Sequence, residues 1–351
     1  FGSGFVDEGF QLQLLLLSFS GFAMAPTQST SCLQHLAVAV VLIPWAVLMD
    51  HVMTRVRRAS VATERSDDDF VERYRLPPGL DTTVPFVELQ KDDATREYLQ
   101  HARENQPSFL FDLACRLSKR VYNPDDALTM FGLSSMHLIS AQQVRTLLAA
   151  SSAPLDFDTI LDVGAGDGRV TAVALQPLLQ TGNTSRLSCT ETSSRLADKL
   201  AERGYTVLRE DLAAATTQSG TAGTSSKHEL AVLFNVLDRC NRPVSLVKQV
   251  ASRLASNGWV LLATPLPFRG RYFEGSVLRE QAERLPRTPI GTNEWAAHAR
   301  WLLEDALPRS LQLHPVVYSR VPYITMADYR HEIYVHSDIV VLCRITEAGS
   351  A

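Results

Sequence analysis

Residues 159–168 read TILDVGAGDG, and this stretch decides the fold. Its first half is a short apolar run that glycines end, which predicts a buried strand followed by a tight turn. The three glycines, at 164, 166 and 168, would let the backbone turn sharply and approach a ligand closely before a helix begins. A tight strand–helix turn that holds no ligand is the alternative interpretation.

Strands and helices alternate from this motif to the C-terminal end. Further strands are predicted at 186–190, 205–208, 230–234, 258–264, 316–321 and 339–343. Helices are predicted at 169–179, 193–203, 243–255 and 295–307. This alternation indicates an α/β fold with a mostly parallel seven-stranded sheet and helices on both faces.

The spacing of the glycines favours S-adenosylmethionine over a dinucleotide. A dinucleotide fold has GxGxxG with a diphosphate over the helix start, whereas Gly164, Gly166 and Gly168 form GxGxG. S-adenosylmethionine lacks phosphate but carries an amino-acid end, a sulfonium, a ribose and an adenine. Asp162 would meet the ammonium group through water or the backbone. We therefore predict a class I, Rossmann-like S-adenosylmethionine domain, with S-adenosylhomocysteine as the product of transfer.

Acidic residues follow the next two strands. Glu191 ends the second strand at the edge where ligands of this topology bind, so its carboxylate would accept hydrogen bonds from the ribose hydroxyls. The alternative is a helix-capping acid in the turn before Ser193. Asp211, after the third strand, would reach the adenine amino group, a role for which Glu210 competes.

The fourth strand ends in polar residues at the topological switch of the sheet. Methyl transfer is an in-line displacement at carbon, so the protein mainly supplies alignment, desolvation and a proton acceptor. Asn235 would contact the cofactor or orient the acceptor, and Asp238 would hold or deprotonate the nucleophile. A turn in which Asp238 caps the helix from Pro243 is the alternative.

Composition argues against several other classes of protein. A net charge of −4 over 351 residues gives no global basic field for nucleic acid. The five cysteines are widely spaced without a CxxC pair, and the nine histidines show no ligand spacing, so neither a disulfide framework nor a metal is implied. GxSxG, HExxH and P-loop motifs do not occur.

Five segments occur in an order that resembles the DREV family of methyltransferases: LDVGAGDGRVT, TETS, NVLDRCNRPVSLVKQV, LLATPLPF and RVPY. The resemblance covers residues 85–346. Members of that family methylate the N-pros nitrogen of histidine in HxH motifs of substrate proteins. The resemblance therefore implies a protein-histidine methyltransferase whose partners are such proteins.

The resemblance also implies roles for single residues. Glu191, Asn235 and Tyr323 would bind the cofactor beside the three glycines, Asp238 would face the acceptor imidazole, and Tyr334 would lie near the substrate peptide. A carboxylate bonded to one imidazole N–H would fix the tautomer and leave the other nitrogen free to attack. Both tyrosines could otherwise be core aromatics.

Three segments bear on the choice of substrate. TMADYRHE at 325–332 departs from the acidic stretch of the family, and the low-complexity residues 216–227 predict an exposed loop. Residues 265–292 predict a long insertion in which Arg269, Arg271 and Tyr272 would line a groove for an extended peptide. A solvated loop is the alternative. A small-molecule or lipid methyltransferase and a non-catalytic cofactor-binding scaffold remain competing hypotheses.

The N-terminal region predicts a link to a membrane. Residues 36–49 read LAVAVVLIPWAVLM without a charge, which suits a signal-peptide core, while 32–53 would make a marginal anchor. A buried core helix is the alternative. We expect the endoplasmic reticulum as the location, with mitochondrion or cytoplasm as alternatives. If the domain is luminal, Asn183-Thr184-Ser185 is a glycosylation acceptor.

These patterns divide the chain into four parts. We predict an apolar signal or anchor region at 1–58, a polar linker at 59–84, a helical extension or lid at 85–150, and the methyltransferase domain at 151–346. Residues 1–23 would be an artefact of translation if Met24 is the true start. Within the extension, Phe109–Val121 predicts a helix that Asn123-Pro124 ends. We expect a monomer that does not bind nucleic acid.

Overall fold

The computed structural model describes residues 70–133, 135–214, 227–289, 291–292 and 294–345. The apolar N-terminal segment and residues 216–226 of the predicted loop lie outside these ranges. Within them, no helix has the length and apolar character that crossing a membrane requires. The described residues fall into two units: 70–106 and 118–345 belong to the larger one, and 107–117 belong to the smaller one.

Eight strands of the larger unit form one sheet in the order β1-β9-β10-β6-β5-β2-β3-β4. They are β1 Met136–His137, β2 Ile160–Val163, β3 Leu187–Thr190, β4 Thr206–Leu208, β5 His228–Phe234, β6 Leu254–Pro265, β9 Leu313–Met326 and β10 Ile333–Ile345. Strands β2 to β6 pair in parallel, and β1, β9 and β10 pair antiparallel. The mostly parallel seven-stranded sheet is confirmed, and β1 adds a short eighth strand at its edge.

Three helices of the described residues precede β1, and the later helices lie between strands. The helices are α1 Asp93–Glu104, α2 Phe109–Ser118, α3 Pro124–Met130, α4 Ala141–Ala150, α5 Arg169–Ala174, α6 Ser194–Glu202, α7 Pro243–Ser252 and α8 Trp295–Trp301. Helix α8 continues as a π-helix over Leu302–Ser310. Single 3₁₀ turns occupy Glu72–Tyr74, Gln176–Leu178 and Thr184–Arg186. The predicted helix 169–179 is therefore split, because a separate 3₁₀ turn begins at Gln176 with Pro177 in its first positions.

The predicted role of Asn123-Pro124 was wrong. These residues begin α3 rather than end the helix before them: Asn123 caps α3 by accepting a hydrogen bond from the Asp125 N–H at 2.9 Å, and Pro124 is its first residue. Asparagine favours the capping position and proline the first helical position, so the pair starts a helix. The helix before them, α2, ends at Ser118.

Helices cover both faces of the sheet. Ile160 and Leu161, which are successive on β2, belong to two different hydrophobic clusters because side chains of a strand alternate between faces. Leu147 of α4 packs in the first cluster and Val247 of α7 in the second. Both faces of β2 are thus buried, which explains its continuous apolar run.

Part of the predicted polar linker is packed. Phe70, Tyr74 and Leu80 are buried, and Phe86 lies edge-on to the Tyr318 ring with 5.3 Å between centroids. These apolar side chains are few and lie several residues apart in a mostly polar stretch, so the sequence did not predict that they are buried. In the fold they hold an irregular segment against the core. Residues 70–86 therefore contribute to the core that supports the antiparallel strands.

A capping box begins α4 and generates a prediction for stability. The Ser140 Oγ accepts from the Gln143 N–H at 3.1 Å, and the Gln143 Oε1 accepts from the Ser140 N–H at 3.1 Å. Ser140→Ala is expected to lower the free energy of unfolding by about 1–2 kcal/mol, measured by urea denaturation. Thr146→Ala, at an exposed position of α4, is the control and should change it by less than about 0.5 kcal/mol. Equal losses in both variants would contradict the capping role.

Candidate functional site

The glycine loop leaves β2 with positive φ angles, +68° at Gly164 and +59° at Gly166. A Cβ at Gly164 would lie 2.8 Å from the Val236 Cγ2, so this residue must be glycine for the two loops to pack. A Cβ at Gly166 would meet nothing within 4 Å, which leaves its backbone open to a ligand. Gly168 precedes α5 as its capping residue and packs against Leu200.

Asp162 is buried at the end of β2. Its Oδ2 accepts a hydrogen bond from the Thr171 Oγ1 at 2.6 Å, which fixes the carboxyl group against α5. Burial, with a smaller contribution from the charge of Glu191, raises its pKa to about 7 against the opposing effect of the Thr171 hydrogen bond. A cation bound nearby would stabilise the ionised form, which is consistent with the predicted role toward an ammonium group.

Glu191 joins the end of β3 to the glycine loop. Its Oε2 accepts from the Gly166 N–H at 3.1 Å, and its Oε1 accepts from the N–H groups of Thr192 and Ser193 at 2.7 and 2.9 Å. The capping interpretation does not apply, because Ser193 caps α6 by accepting from the Leu196 N–H. Burial raises the pKa of the Glu191 carboxyl.

The residues after β4 are placed at the same edge of the sheet. The Asp211 Oδ1 accepts from the N–H groups of Ala213 and Ala214 at 2.9 and 3.3 Å, so this exposed acid holds a turn. Glu210 pairs with Arg253, both of its oxygens lying 3.2 Å from the guanidinium. Glu210 is therefore engaged elsewhere, and contact between Asp211 and adenine stays a prediction.

Asn235 follows β5 in an unusual conformation. Its φ is +56°, although the residue is not glycine, and its backbone N–H donates to the Ala263 carbonyl of β6 at 2.9 Å. The side chain is buried, and its Oδ1 has no hydrogen-bond partner among the described residues. Strained backbone and an unsatisfied buried oxygen together are typical of a functional position.

Asp238 presents a second unsatisfied oxygen close by. The residue is buried, its Oδ1 has no partner among the described residues, and its Oδ2 lies 3.6 Å from the Arg239 Nε. Burial raises its pKa to about 6, while Arg239 acts in the opposite direction. Asp238 does not cap α7, whose capping residue is Arg242. Its carboxyl group is thus available to a ligand.

The two tyrosines occupy different environments. Tyr323 of β9 is buried beneath Arg239, whose Cζ lies 5.8 Å from the ring centroid, and beside His336. Tyr334 of β10 is exposed, and its hydroxyl donates to the Asp328 Oδ2 at 2.9 Å. The structure thus brings Tyr323 to the buried site and leaves Tyr334 at the surface.

The insertion predicted at 265–292 contains a β-hairpin of β7 Arg271–Glu274 and β8 Val277–Glu280. The Arg271 N–H donates to the Asp238 carbonyl at 2.9 Å, and the Gln281 Nε2 donates to the Leu237 carbonyl at 2.8 Å. The guanidinium of Arg271 pairs with Glu280 across the hairpin at 3.1 Å. Arg269 is exposed and Tyr272 is half-buried. The hairpin is therefore fastened to the loop that carries Asp238, and the peptide groove stays a prediction.

Sequence reasoning missed two residues of this site. Arg239 lies between Asp238 and the Tyr323 ring. Asp338 of β10 is fully buried, and neither of its carboxyl oxygens has a hydrogen-bond partner among the described residues. An acid that opens the apolar run IVVLC was the available signal, because a charge in a buried strand requires an explanation.

These observations fit S-adenosylmethionine. The approachable backbone at Gly166 and the clamped carboxylate of Glu191 lie at one edge with the buried Asp162. Asn235 and Asp238 supply unsatisfied oxygens after β5, which is the neighbour of β2 in the sheet. A ligand with an ammonium group, ribose hydroxyls and a reactive methyl would meet matching groups there.

Residues 71–345 match the model of the DREV methyltransferase family. Similar solved structures include the N-methyltransferase NodS from Bradyrhizobium japonicum WM9 with S-adenosyl-L-homocysteine (16% identity, 59% of this chain and 87% of that chain, TM-score 0.33). Magnesium protoporphyrin IX methyltransferase from Synechocystis PCC 6803 with bound SAM is also similar (13%, 73% and 93%, 0.34), as is TehB from Haemophilus influenzae (14%, 63% and 67%, 0.36). The family match and the strand order confirm the predicted fold and S-adenosylmethionine as the cofactor.

Burial of Asp162 predicts how stability depends on pH. Its pKa is raised from 3.8 to about 7, so the folded protein keeps a proton that the unfolded chain has lost. The wild type should therefore lose stability relative to Asp162→Asn as the pH rises from about 4 to 7, by roughly 2–4 kcal/mol in total. Urea denaturation of both proteins without cofactor at pH 4, 6 and 8 measures this difference. Parallel stability curves would show that Asp162 is already ionised.

Proposed function

We propose that this chain, which belongs to the DREV methyltransferase family, methylates the N-pros nitrogen of histidine within HxH motifs of other proteins. The observation that carries the proposal is the Asp238 carboxyl group. It is buried beside the cofactor edge of the sheet, with one oxygen unpaired among the described residues. Such an oxygen can accept the N–H of a neutral imidazole, which has one N–H and one lone pair.

The reaction needs an imidazole that is neutral and correctly oriented. When bound, S-adenosylmethionine supplies a methyl group activated by its sulfonium, and S-adenosylhomocysteine leaves as the carbon–sulfur bond breaks. Asp238 would accept the N–H of one imidazole nitrogen, so the lone pair of the other forms the new bond to carbon. The product imidazolium then gives its N–H proton to Asp238 or to water, which balances the charge.

The pKa of Asp238 suits both parts of this role. Burial raises it to about 6, so the group is ionised at neutral pH and can accept a hydrogen bond. A carboxylate of ordinary pKa would be a weaker proton acceptor, since general bases work best near the operating pH. Arg239, 3.6 Å from the Asp238 Oδ2, keeps the pKa from rising further.

The remaining predicted residues divide between cofactor and substrate. We assign Glu191 to the ribose hydroxyls, Asp211 to the adenine, and Asn235 and Tyr323 to the cofactor beside the glycine loop. Tyr334 is exposed on β10, so it is accessible to a peptide that extends from the site. Its hydroxyl is oriented by Asp328, which lies in the segment that departs from the family pattern.

Asp238 generates the test of the reaction. Asp238→Ala and Asp238→Asn are expected to lower the rate of methyl transfer by about 100-fold or more at unchanged cofactor affinity, because general-base contributions have this size. Each protein is incubated with labelled S-adenosylmethionine and a peptide containing an Ala-His-Ala-His run, and mass spectrometry locates the label.

In the wild type the rate of methyl transfer should rise as the pH increases through about 6, where Asp238 ionises. Asp198→Ala, which removes an exposed acid on α6, is the control.

The same experiment separates the competing functions. Label on a residue other than histidine, or on a small molecule in an acceptor screen, would contradict protein-histidine methylation and indicate a different methyltransferase activity. Tight binding of S-adenosylhomocysteine without turnover of any acceptor would support a cofactor-binding scaffold. Loss of cofactor affinity in Asp238→Ala would move Asp238 from the acceptor to the cofactor side.

We also propose attachment to the endoplasmic reticulum membrane through residues 32–53. Asn183 is exposed in a turn before β3, so its side chain is accessible for modification. If the domain is luminal, the protein should carry a glycan that Asn183→Gln removes, seen as a mobility shift after glycosidase treatment. A membrane-bound protein without this shift would place the domain on the cytoplasmic side.

A further inference from the structure

Asp338 is a buried carboxyl group of the described site that neither the sequence prediction nor the proposed function assigns to cofactor or substrate. It lies on β10 opposite Pro265 of β6 and Val321 of β9, and its exposed fraction is 0%. Neither carboxyl oxygen has a hydrogen-bond partner among the described residues. Burying an ionised carboxylate without hydrogen bonds costs much free energy. The Asp338 carboxyl group therefore needs either a hydrogen-bond partner or a proton.

The side-chain amide of Asn235 is in position to be that partner. Asn235 bonds to Ala263 of β6 through its backbone, and Ala263 is paired with Val340, two residues along β10 from Asp338. The Asn235 side chain is close enough to act on the Asp338 carboxyl as a hydrogen-bonding group, and Asp238 and Arg239 act on it through their charges. The Asn235 Oδ1 likewise has no hydrogen-bond partner in the described part of the chain. Asn235 and Asp338 are thus neighbouring buried side chains, and they carry three oxygens that have no hydrogen-bond partner among the described residues.

Protonation of Asp338 satisfies all three oxygens at once. A carboxylate would have only acceptors to offer to the Asn235 carbonyl oxygen, whereas a carboxylic acid has one O–H donor. That O–H can donate to the Asn235 Oδ1, and one Asn235 N–H can donate to the other oxygen of Asp338. Burial and the nearby Asp238 charge raise the pKa of Asp338 to about 8, although Asn235 and Arg239 oppose this. Tyr323 of β9 also faces the group.

We propose that Asp338 is a positioning residue: as a neutral carboxylic acid it holds the side-chain amide of Asn235 in one orientation toward the cofactor. The amide carbonyl is then occupied by Asp338, and the second N–H of Asn235 is left to donate to the cofactor. The inference rests on the proposed assignment of Asn235 to the cofactor and is independent of the identity of the methyl acceptor.

The test measures binding of S-adenosylhomocysteine to the full chain by calorimetry. Asp338→Asn keeps a neutral donor and acceptor, so its affinity should stay within about threefold of wild type, whereas Asp338→Leu should lose about tenfold or more. Asn235→Gly removes the amide at a position whose positive φ glycine tolerates. In its background, Asp338→Leu should cause no further loss, because Asp338 acts through Asn235. Val340→Ala, a buried change on the same strand, is the control for general destabilisation.

Each outcome decides between the two assignments. Wild-type affinity in Asn235→Gly would remove Asn235 from the cofactor site and overturn both. A weakened Asn235→Gly beside an unaffected Asp338→Leu would overturn the role of Asp338 alone. Equal losses in Asp338→Asn and Asp338→Leu would show that the charged form is required, and losses that add in the double variant would show that Asp338 acts independently.

A second measurement serves if Asp338→Leu does not fold. The raised pKa means that the folded protein keeps the Asp338 proton while the unfolded chain loses it near 3.8. The stability of the wild type should therefore fall relative to Asp338→Asn as the pH rises from about 4 to 8. Urea denaturation without cofactor measures both curves, and curves that run parallel across this range would overturn the neutral acid.

Discussion

The hydrogen bond from the Gly166 N–H to the Glu191 Oε2 ties together the two loops on which the site depends. Strands β2 and β3 are four residues each, and a helix begins within a few residues of the end of each strand, so both loops are short. The same carboxylate also accepts hydrogen bonds from the N–H groups of Thr192 and Ser193, so it holds the loop after β3 against the glycine loop. The cofactor edge is thus assembled before any ligand arrives, and less ordering remains to be done on binding.

Three buried carboxyl groups lie near this edge of the sheet, and their burial costs free energy in the charged form. Asp162, Asp238 and Asp338 all have raised pKa values because burial disfavours their charged forms. Each has a different partner: a threonine hydroxyl for Asp162, an arginine for Asp238, and the Asn235 amide for Asp338 in our proposal. One sheet can therefore hold carboxyl groups in different protonation states at neutral pH, and the assignment of roles follows from these environments.

Local patterns predicted what is local in the fold. The apolar runs located the seven strands, and the positions of Gly164 and Glu191 at the ends of two strands placed them at one edge of the sheet. Asp338 was not predicted, because only the antiparallel register of β10 against β6 brings it beside Asn235, more than a hundred positions earlier in the chain. The packing of Phe70 was hidden for a related reason, since its contacts with Leu99 and Ile324 are formed only in the folded chain.

Backbone and amide hydrogen bonds attach the β7–β8 hairpin to the loop after β5, whereas the glycine loop is hydrogen-bonded to Glu191. The sequence and length of the hairpin could therefore change while the structure of the cofactor site stayed the same. If the hairpin lines the peptide groove that the sequence predicts, acceptor choice and cofactor binding would depend on separate parts of the same sheet. In such an arrangement new substrates could arise through changes to a surface ribbon, with the ancestral chemistry preserved beneath it.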